Sequence, residues 1–181
     1  MYKTYFREAL TRDFRDIKMY ILTEGQFTPE VNISKLRRGK NWLLNQPYWS
    51  ILKEWKGKST ITGSCALYAF GLIDRLPKDI DLLVDAKIFK PNKQLYNNRY
   101  PGMEGKMDVL GYYTDKNYNV DFFDSTEHTI IECDGFLFHH PFEIVQTKID
   151  IIDLRSNGDS KDYYDVCSVF KSINPEFKSS L

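Results

Sequence analysis

The sequence has few cysteines and no long apolar run. Its three cysteines, Cys65, Cys133 and Cys167, form no Cys-x-x-Cys pair, and their number is odd. This argues against a disulfide framework or a structural zinc site and fits a reducing compartment. No apolar run approaches the roughly 20 residues that a membrane-spanning helix needs, and residues 1–8 contain no apolar signal core. We therefore expect a soluble, cytoplasmic protein with no membrane partner.

Length and charge bear on the number of domains and on the class of substrate. At 181 residues the chain is long enough for one domain with a sizeable core and too short for two domains of typical size. The net charge of zero conceals an asymmetry, because residues 1–60 hold 12 Lys and Arg against 6 Asp and Glu, whereas residues 61–181 hold 13 against 19. Solvated helix faces would explain this by chance. A basic N-terminal wall facing an acidic metal site would explain it equally well and would suit a polyanionic substrate.

Residues 1–57 are predicted to form an N-terminal helical region. Apolar residues recur at helical spacing in it, and Gly and Pro separate the helical stretches. The predicted helices cover 4–22, 34–44 and 47–55. Trp42, Trp49 and Trp55 lie on the last two, and we interpret them as core anchors in preference to base-stacking residues.

Residues 58–140 are predicted to form an α/β core, because short β-branched stretches alternate with turn residues. The predicted elements are a strand over 59–62, a helix over 65–70 ending at Gly71, a strand over 79–85, a hairpin of 107–113 with 118–123, and a hairpin of 129–133 with 136–139. Residues 86–106 are polar and are interpreted as an irregular insertion.

Residues 141–181 return to a helical pattern, with predicted helices over 142–152 and 160–172 that pack on the core. The order of helices, strands and helices indicates an α+β fold with a mixed or antiparallel sheet, flanked by N-terminal and C-terminal helices. We expect the three regions to form a single compact domain.

Three carboxylates are the most informative residues. Asp79 and Asp81 are two apart at the start of an apolar strand, so their side chains point to the same face. Two carboxylates on one face repel each other unless a cation or a proton separates them. Asp121, in a later predicted strand, could complete a cluster that binds Mg²⁺ or Mn²⁺. Asp124 and Asp85 are alternatives to Asp121, although each lies at a strand end.

Gly63 and Ser64 lie where a predicted strand turns into a helix. Glycine lets the backbone approach a phosphate, and a helix N-terminus offers free N–H groups and a favourable dipole. The Ser64 hydroxyl adds a donor. Phosphates, metal and acids would then converge at one edge of the sheet.

Other interpretations of the Asp-x-Asp pair are weaker. Isolated pairs of this kind are commonly solvated surface acids. Haloacid-dehalogenase-like phosphatases place their acids at the end of an apolar strand, whereas here the acids begin one. A glycosyltransferase site gives no reason for the Gly-Ser turn. His139 and His140 precede a proline at a strand end and are interpreted as structural.

Together these residues resemble the nucleotidyltransferase superfamily, which has the polymerase-beta-like fold. Within it, the stretches 62–67 and 78–82 are similar to the abortive-infection toxins of the AbiEii type. That subgroup also has a helix with a central lysine, matched by Lys148, and a later Lys-Asp pair that begins a helix, matched by Lys161 and Asp162. The resemblance covers roughly residues 60–170.

The resemblance implies a role for each matching residue. Asp79 and Asp81 would hold the metals, and Asp121 would bind one metal or activate the acceptor hydroxyl. Gly63 and Ser64 would contact the nucleotide phosphates. Lys148 and Lys161 would neutralise the triphosphate, although Lys148 could equally be a charge on a helix surface. Asp162 and Asp165 are interpreted as a helix N-terminal acid and a salt-bridge partner rather than as ligands.

The activity implied is Mg²⁺-dependent transfer of a nucleoside monophosphate from an NTP to a hydroxyl of RNA (tRNA) or protein. The toxin resemblance adds an antitoxin as an expected partner and phage defence as a role. The alternative is a protein of the same fold that binds a nucleotide or a partner without catalysis.

Overall fold

The computed structural model of the chain describes residues 31–85, 87, 109–114, 119–124, 127–152 and 160–178, with the backbone alone at 109–114, 151–152 and 160. The helix predicted over 4–22 and, apart from Lys87, the insertion predicted over 86–106 lie outside these residues. The described residues belong to two compact units. One is Val31–Ile144, called the sheet unit here. The other, the C-terminal unit, comprises residues 145–152 and 160–178 among those described.

The sheet unit is built on a six-stranded mixed sheet with the strand order β3-β4-β2-β1-β6-β5. Its strands are β1 (Thr60–Thr62), β2 (Ile80–Val84), β3 (Val109–Thr114), β4 (Asn119–Asp124), β5 (Ile130–Cys133) and β6 (Phe136–His139). β1 is antiparallel to β2 and parallel to β6, while β2 is parallel to β4. Both predicted hairpins, β3–β4 and β5–β6, are confirmed as antiparallel pairs. The α+β class with a mixed sheet is thus confirmed.

Helices α1 (Ile33–Leu44) and α2 (Gly63–Phe70) were both predicted. Asn32 begins α1 because its side chain accepts a hydrogen bond from the Lys35 N–H at 2.9 Å. Gly71 ends α2 in the left-handed conformation at φ 67°, as its position in the sequence predicted. The helix predicted over 47–55 is instead a 3-10 helix, Pro47–Lys53, so the prediction was wrong in type and in its end.

The β5–β6 turn fastens the sheet to α1. Asp134 and Gly135 both have positive φ, 54° and 80°, as a two-residue hairpin turn requires. The Asp134 carboxylate lies 2.5 Å from Lys40 Nζ and 3.2 Å from Arg37 Nε. Hydrogen bonds from Lys40 and Arg37 lower the Asp134 pKa to about 2. Two of the basic residues of α1 are therefore committed to a structural contact.

Helix α3 (Pro141–Ile152) begins in the sheet unit and ends in the C-terminal unit, which also contains α4 (Ser160–Ile173). Both helices match their predicted spans to within one residue. The buried side of α4 includes Tyr163, Val166, Val169 and Phe170. Among the residues that the structure describes, no helix is both long and apolar enough to cross a membrane.

Candidate functional site

Asp81 and Asp121 lie side by side on neighbouring strands. Asp81 of β2 is in register with Asp121 of β4, and residues paired in this way point to the same face of a sheet. Neighbouring strands are about 4.8 Å apart, so the two side chains leave the backbone close together. The Asp121 residue is only 1% exposed, whereas Asp81 is half-buried. The face opposite Asp81 carries Ile80, Leu82 and Val84, which are buried.

Asp79 lies just before β2, and two neighbouring groups indicate that it is close to the other acids. Burial raises the pKa of the Cys65 thiol well above its ordinary value, and the charges of Asp81 and Asp79 raise it further. The Cys65 thiol also donates to the Asp79 carbonyl at 3.3 Å. Burial likewise raises the pKa of Tyr48, and Asp79 and Asp121 both add to that rise. Asp79 and Asp81 are therefore both close to Cys65 in the first turn of α2, and Tyr48 is close to both Asp79 and Asp121.

Gly63 is required by Asp81. A Cβ placed on Gly63 would lie 2.2 Å from Asp81 Oδ2 and 3.1 Å from Asp81 Cγ, far inside van der Waals contact. The φ of Gly63 is +60°, which residues with a side chain rarely adopt. The Asp81 carboxylate thus packs on the bare Cα at the first position of α2.

Helix α2 begins without a capping hydrogen bond from its N-cap residue. Thr62 is the N-cap residue, but its side chain makes no capping hydrogen bond to the helix. The side chain that follows, Ser64, accepts a hydrogen bond from Arg75 Nη2 at 3.0 Å. An anion at this helix end would meet backbone N–H groups, the Ser64 hydroxyl and the Arg75 guanidinium.

Tyr48 joins the segments that carry Asp79 and Asp121. Its hydroxyl donates to the carbonyl oxygen of Lys78, the residue before Asp79, and accepts from the Asn119 N–H at 3.4 Å. The first contact fixes the approach to β2, and the second fixes the first residue of β4. Tyr48 thus positions the two segments that carry Asp79 and Asp121.

A hydrogen-bonded network extends the same row of the sheet beyond Asp81. Thr62 is in register with Asp81, and its Oγ1 lies 2.8 Å from His139 Nδ1. His139 Nε2 lies 2.8 Å from Glu143, which also accepts from the Thr129 N–H at 2.9 Å and its hydroxyl at 2.5 Å. A carboxylate can only accept, so Nε2 carries the proton of neutral His139, and Nδ1 accepts from Thr62.

The histidines make stability depend on pH. Burial lowers the pKa of His139, and the hydrogen bond to Glu143 only partly opposes this. Burial also lowers the pKa values of His128 and His140. Between the lowered folded values and the unfolded value of about 6.5, the unfolded chain binds more protons, so stability falls as pH falls. We expect the melting temperature to decrease from about pH 7.5 to pH 5, where ordinary carboxylates remain ionised.

His139→Gln tests which group is responsible. Gln can still donate to Glu143 but does not titrate, so the variant should lose less stability than the wild type over the same pH range. Thermal unfolding in matched buffers measures the slope. A wild-type melting temperature that rises toward pH 5, or a slope unchanged by His139→Gln, would contradict the assignment.

Lys148, the lysine of the resemblance, lies in the C-terminal unit among buried acids. Its Nζ is 2.5 Å from Asp162 Oδ1 and 3.1 Å from Asp165 Oδ2. Burial opposes the charge, but the two carboxylates outweigh it and raise the Lys148 pKa. The interpretation of Asp162 and Asp165 as a helix acid and a salt-bridge partner is confirmed. Lys161 lies in the first turn of α4, half-buried; the nucleotide-binding role of both lysines stays a prediction.

Sequence reasoning missed Arg75 and Tyr48. Arg75 lies in the short connection between α2 and β2, and it is the only arginine between the Gly-Ser turn and the Asp-x-Asp pair. That position was a usable signal, because an anion site needs a cation within reach. Tyr48 offered no signal, since its contacts with Lys78 and Asn119 are 30 and 71 residues away in the chain.

The residues present fit a hard divalent cation. Among the described residues, no group of three or more His, Cys, Asp or Glu side chains is placed to hold a metal ion by itself. Mg²⁺ commonly uses one or two carboxylates and takes its other ligands from water and substrate phosphates. Asp81 and Asp121, in register and with Asp81 packed on the first residue of α2, would supply that smaller set.

The structure gathers five of the predicted site residues in the sheet unit, namely Asp79, Asp81, Asp121, Gly63 and Ser64, and adds Arg75 and Tyr48. Lys148 and Lys161 belong to the C-terminal unit. No family model, curated protein or solved structure matches this chain.

Proposed function

We propose that this chain is a Mg²⁺-dependent nucleotidyltransferase that moves a nucleoside monophosphate from an NTP to a hydroxyl group on RNA or protein. The observation that carries the proposal is the register of Asp81 and Asp121, which places two carboxylates on one sheet face beside the first turn of α2. A phosphate site and a cation site side by side are what transfer from an NTP needs.

The sheet unit offers a place for each part of the NTP. The N–H groups at the start of α2, with the Ser64 hydroxyl and Arg75, would bind the phosphates that leave as pyrophosphate. Asp81 and Asp121 would hold Mg²⁺, which when bound polarises the phosphoryl oxygens and neutralises developing charge, and Asp79, to which the resemblance gives the same role, lies just before β2. Gly63 has no side chain, so the Asp81 carboxylate can reach that end of the helix.

The reaction is a displacement at the α-phosphorus. The acceptor oxygen forms a bond to that phosphorus, and the bond to the bridging oxygen of pyrophosphate breaks. The acceptor hydroxyl gives up its proton, and Asp121 is the carboxylate proposed to receive it. Tyr48 holds the segments leading to Asp79 and Asp121, so it sets the distance between the acids without touching the reacting atoms.

A cytoplasmic location and a role in phage defence, with an antitoxin as partner, belong to the same proposal. The phage-defence role and the antitoxin rest on the motif resemblance, whereas the location rests on the cysteine pattern and on the lack of a long apolar run in the sequence. The carboxylates, the turn at Gly63 and Ser64, and Arg75 support the proposed chemistry.

A label-transfer screen tests the proposal. The protein is incubated with Mg²⁺ and each of the common α-labelled NTPs, with total RNA or total protein as acceptor. We expect label in one acceptor fraction, dependent on Mg²⁺ and blocked by EDTA. A wild-type protein that binds NTP tightly yet labels neither RNA, protein nor itself would refute the enzyme and leave a nucleotide-binding protein.

A further inference from the structure

Trp42 differs from the other two tryptophans. Trp49 is 6% exposed and Trp55 packs on Phe122 with ring centroids 4.8 Å apart, as core anchors do. Trp42 is 41% exposed although its ring is held on two sides, 5.9 Å from the ring of Trp49 and 5.4 Å from that of Tyr68. The interpretation of all three as core anchors is therefore wrong for Trp42. The structure presents a fixed aromatic ring with an open surface.

Basic side chains accompany this ring. Lys35 and Arg38 precede Trp42 by seven and four positions on α1, so the three share one face of the helix, and all three are exposed. They form what we call the Trp42 face. Arg37 and Lys40 point elsewhere, to Asp134. Residues 31–60 hold seven Lys and Arg against one acid, so the whole positive excess of the first 60 residues lies in the segment that carries this face.

The Trp42 face belongs to the same unit as the carboxylates and is linked to them by rings. Trp42 packs on Trp49, and Trp49 packs on Tyr48 with centroids 5.1 Å apart. Tyr48 in turn contacts Lys78 and Asn119. The charges of Asp79 and Asp121 contribute to its raised pKa. Two ring contacts therefore separate the exposed indole from a residue beside the acids.

We infer that the Trp42 face binds single-stranded nucleic acid, with a base stacked on the Trp42 indole and Lys35 and Arg38 against its phosphates. Stacking on an exposed aromatic ring combined with a positive surface is the usual means of holding a single strand without reading its sequence. The base faces of a duplex are stacked inside it, so a duplex would bind only through the charges of Lys35 and Arg38. An apolar partner alone would not explain why cations flank the ring.

Anisotropy of a fluorescein-labelled oligouridine tests this binding without any need for catalysis. Trp42→Ala should weaken binding about tenfold, the range expected for one lost stacked base, while Trp42→Phe should keep most of the affinity. Lys35→Ala and Arg38→Ala should each reduce the slope of log K against log salt by about one. The wild type should bind the single strand more tightly than its duplex with oligoadenosine.

Two matched variants serve as controls. Ile33→Ala removes another exposed apolar side chain of α1, and Lys53→Ala removes an exposed charge from the 3-10 helix. Both should bind like the wild type, with all variants first compared by circular dichroism and melting temperature. Equal affinity of Trp42→Ala and Ile33→Ala, absence of wild-type binding at low salt, or equal binding of duplex and single strand would each overturn the inference.

The inference goes beyond the proposed function and fails separately from it. Asp81→Asn should bind the oligonucleotide like the wild type, because Asp81 is not part of the Trp42 face. Binding that depends on Trp42 in a protein that transfers no label would sustain the inference and refute the enzyme. Transfer of label to protein with no oligonucleotide binding would sustain the enzyme and refute the inference.

Discussion

Asp81→Asn is expected to reduce label transfer at least about a hundredfold while leaving the fold intact, since it removes an electrostatic contribution to the transition state. The amide has the shape of the carboxylate, so the close packing on Gly63 is kept and only the charge is lost. Asp121→Asn should have a comparable effect. Initial rates at saturating NTP measure the change, because the carboxylates act mainly on the transition state.

Ser64→Ala and Arg75→Ala should behave differently. Both side chains would grip phosphates that are already bound in the ground state, so their loss should raise the KM for NTP more than it lowers kcat. Asp85→Asn is the matched control, since Asp85 is an exposed carboxylate immediately after β2. Loss of activity in Asp85→Asn, with full activity in Asp121→Asn, would move the third acid away from Asp121.

The change in melting temperature on adding metal is a second measurement on the same variants. A cation that binds only the native protein raises its melting temperature. Mg²⁺ or Mn²⁺, added with a non-hydrolysable NTP analogue, should produce that shift in the wild type and a much smaller one in Asp81→Asn. An equal shift in both proteins would place the metal elsewhere, whatever the activity result.

Local patterns in the sequence predicted most of the elements of the sheet unit. Alternation and turn residues predicted β2, the β3–β4 hairpin and the β5–β6 hairpin, because each depends on neighbours in the chain. The helix-stopping role of Gly71 was predictable for the same reason. The 3-10 helix at Pro47–Lys53 was not, since its periodicity over so few residues resembles that of a short α-helix.

Contacts between distant segments were harder to predict. The pairing of Asp81 with Asp121 joins residues 40 positions apart, and the sequence suggested it only by placing an acid in each of two strands. The need for glycine at position 63 also comes from a contact with a distant segment. Sequence reasoning assigned it to phosphate approach, whereas the structure shows that the Asp81 carboxylate occupies the place of its missing side chain.

Lys148 shows how a residue's helix can be predicted while its surroundings stay unknown. The predicted helix has Ile144, Val145 and Ile149 around Lys148, so the lysine stands among apolar neighbours. Two acids three residues apart, Asp162 and Asp165, lie on one face of the next helix. Together these facts could have indicated a buried ion pair, but only the packing of the two helices establishes it.

Lys148→Met should therefore lower the free energy of unfolding by about 3–5 kcal/mol, the cost of removing one partner from a buried ion pair. Asp165 is 1% exposed and Asp162 is 8% exposed, so water cannot replace the lost ammonium. Urea-induced unfolding at neutral pH measures the change. Lys171→Met is the matched control, because Lys171 lies exposed in the last turn of α4, and it should change the stability by no more than about 0.5 kcal/mol.

A compensating variant separates the charge from the packing. In Lys148→Met combined with Asp162→Asn and Asp165→Asn, no net charge is left in the cluster, so much of the lost stability should return. An unchanged stability in Lys148→Met alone would contradict the buried ion pair. The same proteins decide the lysine's role in nucleotide binding: if the triple variant refolds to near wild-type stability but binds NTP much more weakly, Lys148 contacts nucleotide as well as its two acids. If it binds NTP as the wild type does, Lys148 acts only in holding α3 to α4.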